Sequence, residues 1–320
     1  MNVTEFVLLG LTHTREAQVV LFVLFFLFYV MILVGNFLII ATIKTSSCLN
    51  SPMYFLLCNL SFIDVCYSSV TSPRMLVDLL SQRMTISFNG CMAQLFFLHF
   101  VGAAEMFLLT VMAYDRYVAI CRPLHYMTVM NRSVCCLLVA ACWMGGFIHS
   151  IVQMLLTIQL PFCGPNQIDN YFCDVPPVIR LACIDIYVIE LLMISNSGLI
   201  SLMCFLVLVG SYTVILVTIQ FYFTEGRWKA LSTCASHITV VSLFFGPCIF
   251  IYLRPSSNLS ADKGISVIYT ILTPMLNPLI YTFRNKEVKS SMRKLWRQHV
   301  FPVFGDCGGL DKGEPPEVKS

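Results

Sequence analysis

Asp64, Glu105 and Arg116 stand within stretches of otherwise apolar sequence, where an ionisable side chain is costly and is a candidate for function. Glu105 and Arg116 are eleven residues apart, about three helical turns, so on a helix both project from one face. Asp64 falls midway along the preceding apolar run, at a depth similar to Glu105. Two bare carboxylates close together in a low dielectric repel strongly, so the pair is expected to share a proton or a cation such as Na⁺. No other cofactor is expected. HExxH, GxSxG and GxxxxGK[ST] are all missing from the chain, and so is any symmetric pair of broken half-helices. The expectation is a protein that is not an enzyme, with a channel or carrier as the alternative class.

The elements that must hold these side chains are set by composition. Of 320 residues, 58% are hydrophobic and 12% charged, about half the charge of a typical soluble domain. Seven stretches reach the roughly 20 apolar residues needed to cross a bilayer: 19–43, 52–78, 91–122, 134–159, 187–221, 229–253 and 264–283. Runs such as VVLFVLFFLFYVMILVGNFLII are apolar on every side and too long for barrel strands, so the fold is an all-α membrane protein, a seven-transmembrane helix bundle. Residues 1–18 read as an extracellular N-terminus, 19–283 as the bundle and 284–297 as a short cytoplasmic amphipathic eighth helix. Residues 298–320, rich in Gly, Pro and charge, read as a disordered tail. No removable signal peptide precedes the first run.

Placing the N-terminus outside puts fourteen of the 20 Lys and Arg residues on the cytoplasmic side and six outside, as the positive-inside rule requires. The formal net charge of +3 therefore reflects orientation in membrane lipid, and no nucleic-acid partner is expected. Asn2, in Asn2-Val3-Thr4, is a glycosylation candidate on the outer face; of three further sequons, only the one at Asn258 also lies outside. Most of the 15 cysteines fall in helices or at cytoplasmic ends. Cys91, Cys163, Cys173 and Cys183 form an outer set whose three possible pairings the spacing leaves open.

Longer motifs narrow the class. Gly35-Asn36, the run from Pro52 to Leu76, MAYDRYVAICRPLHY from Met112, Ser211-Tyr212, KALSTCASHITVV from Lys229 and PMLNPLIYTFRNKEVK from Pro274 together resemble the rhodopsin-like G-protein-coupled receptors, and within them the vertebrate odorant receptors. The resemblance covers nearly the whole chain. It implies a plasma-membrane odorant receptor that raises cyclic AMP through a heterotrimeric stimulatory G protein, with a non-olfactory rhodopsin-like receptor as the alternative. It also implies that Arg116, within Asp115-Arg116-Tyr117, is held by Asp115 and freed on activation, that Tyr212 and Tyr281 swing toward it, and that Asn277-Pro278 loosens the seventh helix. Disulfides Cys91–Cys173 and Cys163–Cys183 follow from the same resemblance. Where many rhodopsin-like receptors have Trp in the sixth helix this chain reads Phe244-Phe245-Gly246, and the fifth helix lacks a central Pro, as is usual for odorant receptors.

Helical spacing and family placement give the expected ligand site: His99, Gly102 and Ala103 on the third helix, Asn196, Ser197 and Ile200 on the fifth, Phe245, Cys248 and Tyr252 on the sixth, and Val267 and Thr270 on the seventh. This set is mostly apolar with a few hydrogen-bonding tips, as small-molecule sites are. Gly102 and Ala103 are expected to leave room for the ligand, and Tyr252 and Asn196 to orient an oxygen on it. Leu98 stands two turns inside Cys91, where amine receptors place an acid, and no outer-half helix residue facing the bundle is clearly charged. The expected ligand is therefore small, largely apolar and uncharged.

Overall fold

The apolar runs form the helices that their length demands. In the computed structural model, which describes residues 3–12, 14–47, 49–81, 84–163, 166–222, 227–253 and 261–300, the chain is a seven-helix bundle with an eighth helix packed beneath it. Six helices are long and apolar enough to cross a membrane: Arg15–Thr45, Pro52–Leu80, Phe88–Cys121, Arg132–Ile158, Tyr187–Phe221 and Asp262–Thr282. The sixth helix in chain order, Arg227–Tyr252, begins with a polar segment and is continuously apolar only over His237–Tyr252. Asn2 and Asn258, the two outer sequons, and the chain beyond Val300 lie outside the described residues.

The helices extend past the apolar runs because capping and amphipathic residues add turns that hydropathy does not register. The first begins at Arg15 rather than 19, and Asn131 caps the fourth by accepting from Val134 N at 3.0 Å. The eighth, Lys286–Val300, runs three residues beyond the expected 297 and starts after a break at Asn285, whose Oδ1 accepts from Glu287 N and Val288 N at 3.0 and 3.2 Å. Two helices contain a π turn, Ile194–Gly198 in the fifth and Ile268–Leu272 in the seventh, and each rotates the face that follows it.

Close contacts explain two motifs. Pro278 has no N–H to give the carbonyl of Pro274 four residues earlier, and Asn36 Nδ2 donates to that carbonyl at 3.3 Å. Gly35 permits the approach, since a Cβ there would meet Pro278 Cβ at 3.1 Å. The Gly-Asn pair is thus the first helix's clasp on the proline bend of the seventh.

One element departs from the all-α expectation. Residues 5–8, within the N-terminal segment read as extracellular, form β1 (Glu5–Leu8), antiparallel to β2 (Thr85–Ser87) and parallel to β3 (Gln167–Ile168). Phe6 is fully buried between Phe88 and Phe162, with ring centroids 6.0 and 5.7 Å away, and Leu8 is buried beside it. Gly10, at φ 68°, adopts the left-handed turn that lets the chain leave the sheet, and its N–H donates to Asn170 O at 3.1 Å. The sheet and a second hydrophobic cluster around it form a plug over the N-terminal side of the bundle.

Candidate ligand cavity and transmission core

Beneath that plug, the third, fifth, sixth and seventh helices surround a cavity with about 430 Å³ of empty space. Its lining includes His99, Gly102, Ala103, Ser197, Ile200, Cys248 and Tyr252, seven of the eleven positions expected from spacing. Four stand elsewhere. Phe245 is fully buried against Phe205 and Phe244, and it is Phe244 that faces the cavity. Thr270 is held by Tyr171 Oη at 2.8 Å and donates to Ser266 O at 2.7 Å, so it ties a loop to the seventh helix. Val267 packs half-buried against the core. Asn196 does not line the cavity, and its buried Nδ2 has no hydrogen-bond partner.

Gly102 does not leave open space. A Cβ there would meet Tyr67 Cε2 at 3.2 Å, so the glycine admits the Tyr67 ring, which then forms part of the cavity wall.

The residue that spacing missed is Asp174. Disulfide Cys91–Cys173 closes with a Cα–Cα distance of 5.4 Å, and Cys173 N donates to Gln94 Oε1 at 2.9 Å. The next residue is thereby delivered into the bundle at 2% exposure. Its carboxylate accepts from Tyr252 Oη at 3.0 and 3.1 Å, from Tyr269 Oη at 3.4 Å and from Val175 N at 2.7 Å, and His99 Nε2 lies 3.2 Å away. The expectation of no clearly charged outer-half residue is confined to the helices, and the acid that stands there is supplied by a loop. A buried carboxylate needs such donors, because each unmade bond leaves a desolvation cost of about 1–3 kcal/mol. The second disulfide, Cys163–Cys183, has a Cα–Cα distance of 5.7 Å, so both expected pairings are present. Burial pushes the phenol of Tyr171, in the same loop, well up from its ordinary value, and it remains a neutral donor.

Two further constellations lie deeper. Asp64 accepts from Asn277 Nδ2 at 3.0 and 3.1 Å, whereas both carboxylate oxygens of Glu105 and Oδ1 of Asn277 are buried without partners. The unpartnered oxygens of Glu105 and Asn277, with the Asp64 carboxylate, offer the oxygen ligands that a hard cation such as Na⁺ takes, and a shared proton would serve equally. Near the other end of the third helix, Arg116 Nε donates to Asp115 Oδ2 at 3.0 Å, reinforced by a second contact from Nη2, and Tyr126 Oη donates to Asp115 Oδ1 at 2.8 Å. Tyr126 opens the short helix Tyr126–Val129 that follows the third helix, and burial followed by the Asp115 charge pushes its phenol up. Tyr117 is half-buried, stacked on Tyr114 with centroids 6.4 Å apart. Tyr281 Oη is 3.4 Å from His237 Nδ1, and the Tyr212 hydroxyl is buried with no partner.

This arrangement of cavity, loop acid and Asp-Arg pair sits in a sequence with recognisable relatives. The family model described as Olfactory receptor matches residues 25–299. The chain belongs to the olfactory receptor family. It is 67% identical to human Olfactory receptor 4Q2 over 294 residues, covering 91% of this chain and 93% of that relative. It is 61% identical to mouse Olfactory receptor 4E2 over 299 residues, covering 93% and 97%. Mouse Olfactory receptor 4M1 is 59% identical over 302 residues, covering 94% and 96%. The protein is an odorant receptor, and its multi-pass bundle is that of a membrane protein. In this odorant receptor Tyr67, His149 and Tyr269 join the expected residues at the cavity, each brought there by tertiary contact, and Asp174 holds the lining residues His99, Tyr252 and Tyr269 from beside it.

Proposed function

We propose that the receptor binds small, largely apolar, uncharged volatile molecules and activates a stimulatory G protein that raises cyclic AMP. It does so from the plasma membrane with its N-terminus outside. The observation that carries the ligand class is the Asp174 cluster: this acid beside the cavity already holds two phenols and an amide N–H with His99 alongside, so an incoming ligand meets satisfied polar tips among apolar walls. An alcohol or ketone can exchange a bond with Tyr252 or His99; an ammonium ion would have to break the cluster. Agonist dose-response curves test this. Tyr252→Phe weakens oxygenated agonists about two- to tenfold, the worth of one hydrogen bond of roughly 0.5–1.5 kcal/mol. Gly102→Leu drives into Tyr67 and abolishes the response, while Asn196→Ala has the smallest effect of the three. Wild-type curves from both Tyr252→Phe and Gly102→Leu, or best agonists that are permanently charged, would overturn the ligand class.

Asp64 and Glu105 are proposed to hold Na⁺ in the resting receptor. The unpartnered oxygens of Glu105 support this, since a buried carboxyl without donors must either gain a counter-cation or hold a proton. The melting temperature of purified receptor rises with NaCl relative to KCl at equal ionic strength, and Asp64→Asn or Glu105→Gln removes the difference. Equal melting in the two salts would leave the shared proton as the explanation.

A further inference from the structure

A second space, sharing no lining residue with the odorant cavity, opens between the first, second and fourth helices at the end opposite the N-terminus, with a volume of about 870 Å³. Its deep wall is apolar: Ile40, Phe55, Cys58 and Phe62, the last half-exposed and 6.2 Å from the Trp143 ring. Its rim is cationic. Lys44 lies in the last turn of the first helix and Arg132 opens the fourth, both exposed and both lining the same space. Among the described residues no acidic side chain lines it, and neither cation forms an ion pair. Ser46, Ser47, Leu49, Asn50 and Ser51 line the groove between the first and second helices, and Met127 of the short helix Tyr126–Val129 lines it beside the fourth.

We propose that this groove is a binding site for an anionic phospholipid of the cytoplasmic leaflet, its phosphate between Lys44 and Arg132 and an acyl chain along Phe55, Cys58 and Phe62. The inference rests on the orientation read from the basic residues, which sets this end at the leaflet richest in anionic lipid. Two unpaired cations at headgroup level above an apolar depth match such a lipid at both ends. A soluble phosphate would leave the apolar wall wet, and a sterol would leave both cations without a counter-charge. Basic pockets between transmembrane helices on this side have the chemistry that recognises phosphorylated headgroups.

Native mass spectrometry of purified receptor tests the proposal, with dioleoyl phosphatidylglycerol, dioleoyl phosphatidylcholine, cholesterol and glycerol phosphate as probes. The expected result is retention of phosphatidylglycerol over phosphatidylcholine. Lys44→Gln and Arg132→Gln each weaken that retention about fivefold, the equivalent of about 1 kcal/mol per basic residue at an anionic surface. Charge-preserving Lys44→Arg with Arg132→Lys retains the lipid, which separates loss of charge from loss of fold. Cys58→Trp, which fills the groove, lowers lipid retention with both cations intact. Equal retention of phosphatidylglycerol by wild type and the double Gln variant, preference for cholesterol, or binding of glycerol phosphate as tight as the lipid would each overturn it. Odorant-evoked cyclic AMP is measured on the same variants: its persistence while lipid retention is lost keeps the two readings separate, and its absence in wild type bears only on the proposed coupling.

Discussion

Arg116→Ala reduces ligand-evoked cyclic AMP to background while receptor still reaches the cell surface, and Asp115→Asn raises signalling without ligand. The opposite signs follow from one geometry. The Arg116 guanidinium is pinned to Asp115 Oδ2, and Tyr126 holds the other carboxylate oxygen at 2.8 Å, so the acid is oriented by two partners and the base by one. Removing the acid's charge loosens the guanidinium and favours the state in which it is free. Removing the guanidinium deletes the group that would contact a G-protein tail. It also leaves Asp115, at 1% exposure, with only Tyr126, a loss of about 1–3 kcal/mol that lowers surface expression without eliminating it. Surface labelling alongside a cyclic AMP reporter checks both arms. Normal output from Arg116→Ala at normal surface level would sink the proposed coupling, whereas silence of both variants with no surface receptor would show only a folding role for the pair.

What the sequence made legible was what periodicity and composition encode. Apolar runs located all seven helices to within a few residues, and Asp64, Glu105 and Arg116 stood out because lipid penalises them. Cavity positions on the unbroken third helix were placed well: His99, Gly102 and Ala103 all line it. The failures cluster at the π turns. Asn196 lies inside Ile194–Gly198, and Val267 and Thr270 flank or enter Ile268–Leu272, so a spacing of 100° per residue aims them wrongly. Ser197, within the same turn, does reach the cavity, and its hydroxyl accepts from Gln153 Nε2. Asp174 and β1 were illegible for another reason. A four-residue strand such as Glu5–Leu8 has no meaning until residues about 80 and 160 positions away pair with it. Asp174 acquires its place from a disulfide and from partners on the third, sixth and seventh helices. The available signal was adjacency: a residue next to Cys173 is tied to the top of the third helix once that cysteine is paired with Cys91.

That tie gives the second large effect. Cys173→Ser eliminates both surface expression and odorant response, Cys163→Ser weakens them, and Asp174→Ala leaves more receptor at the surface than Cys173→Ser yet still fails to respond. The two bridges span 82 and 20 residues. Loop-closure entropy in the unfolded chain then assigns about 4.5 kcal/mol to the first and about 3.3 kcal/mol to the second. The gap of roughly 1 kcal/mol is too small to separate the variants on its own. The decisive difference is what each bridge positions. Cys163–Cys183 closes a loop at the periphery, where Cys163 is exposed. Cys91–Cys173 joins two fully buried residues and holds Asp174 among His99, Tyr252 and Tyr269; freeing it strands three polar side chains facing an apolar cavity. Asp174→Ala removes the same hub without releasing the loop, so the bridge still supports folding while the polar tips that orient an odorant lose their anchor. Flow cytometry of surface receptor and agonist titration, run together on all three variants, separate the contributions. A full response from Cys173→Ser would show that the loop keeps its place without the bridge, and a full response from Asp174→Ala would show that the cavity orients its ligand by its apolar walls alone.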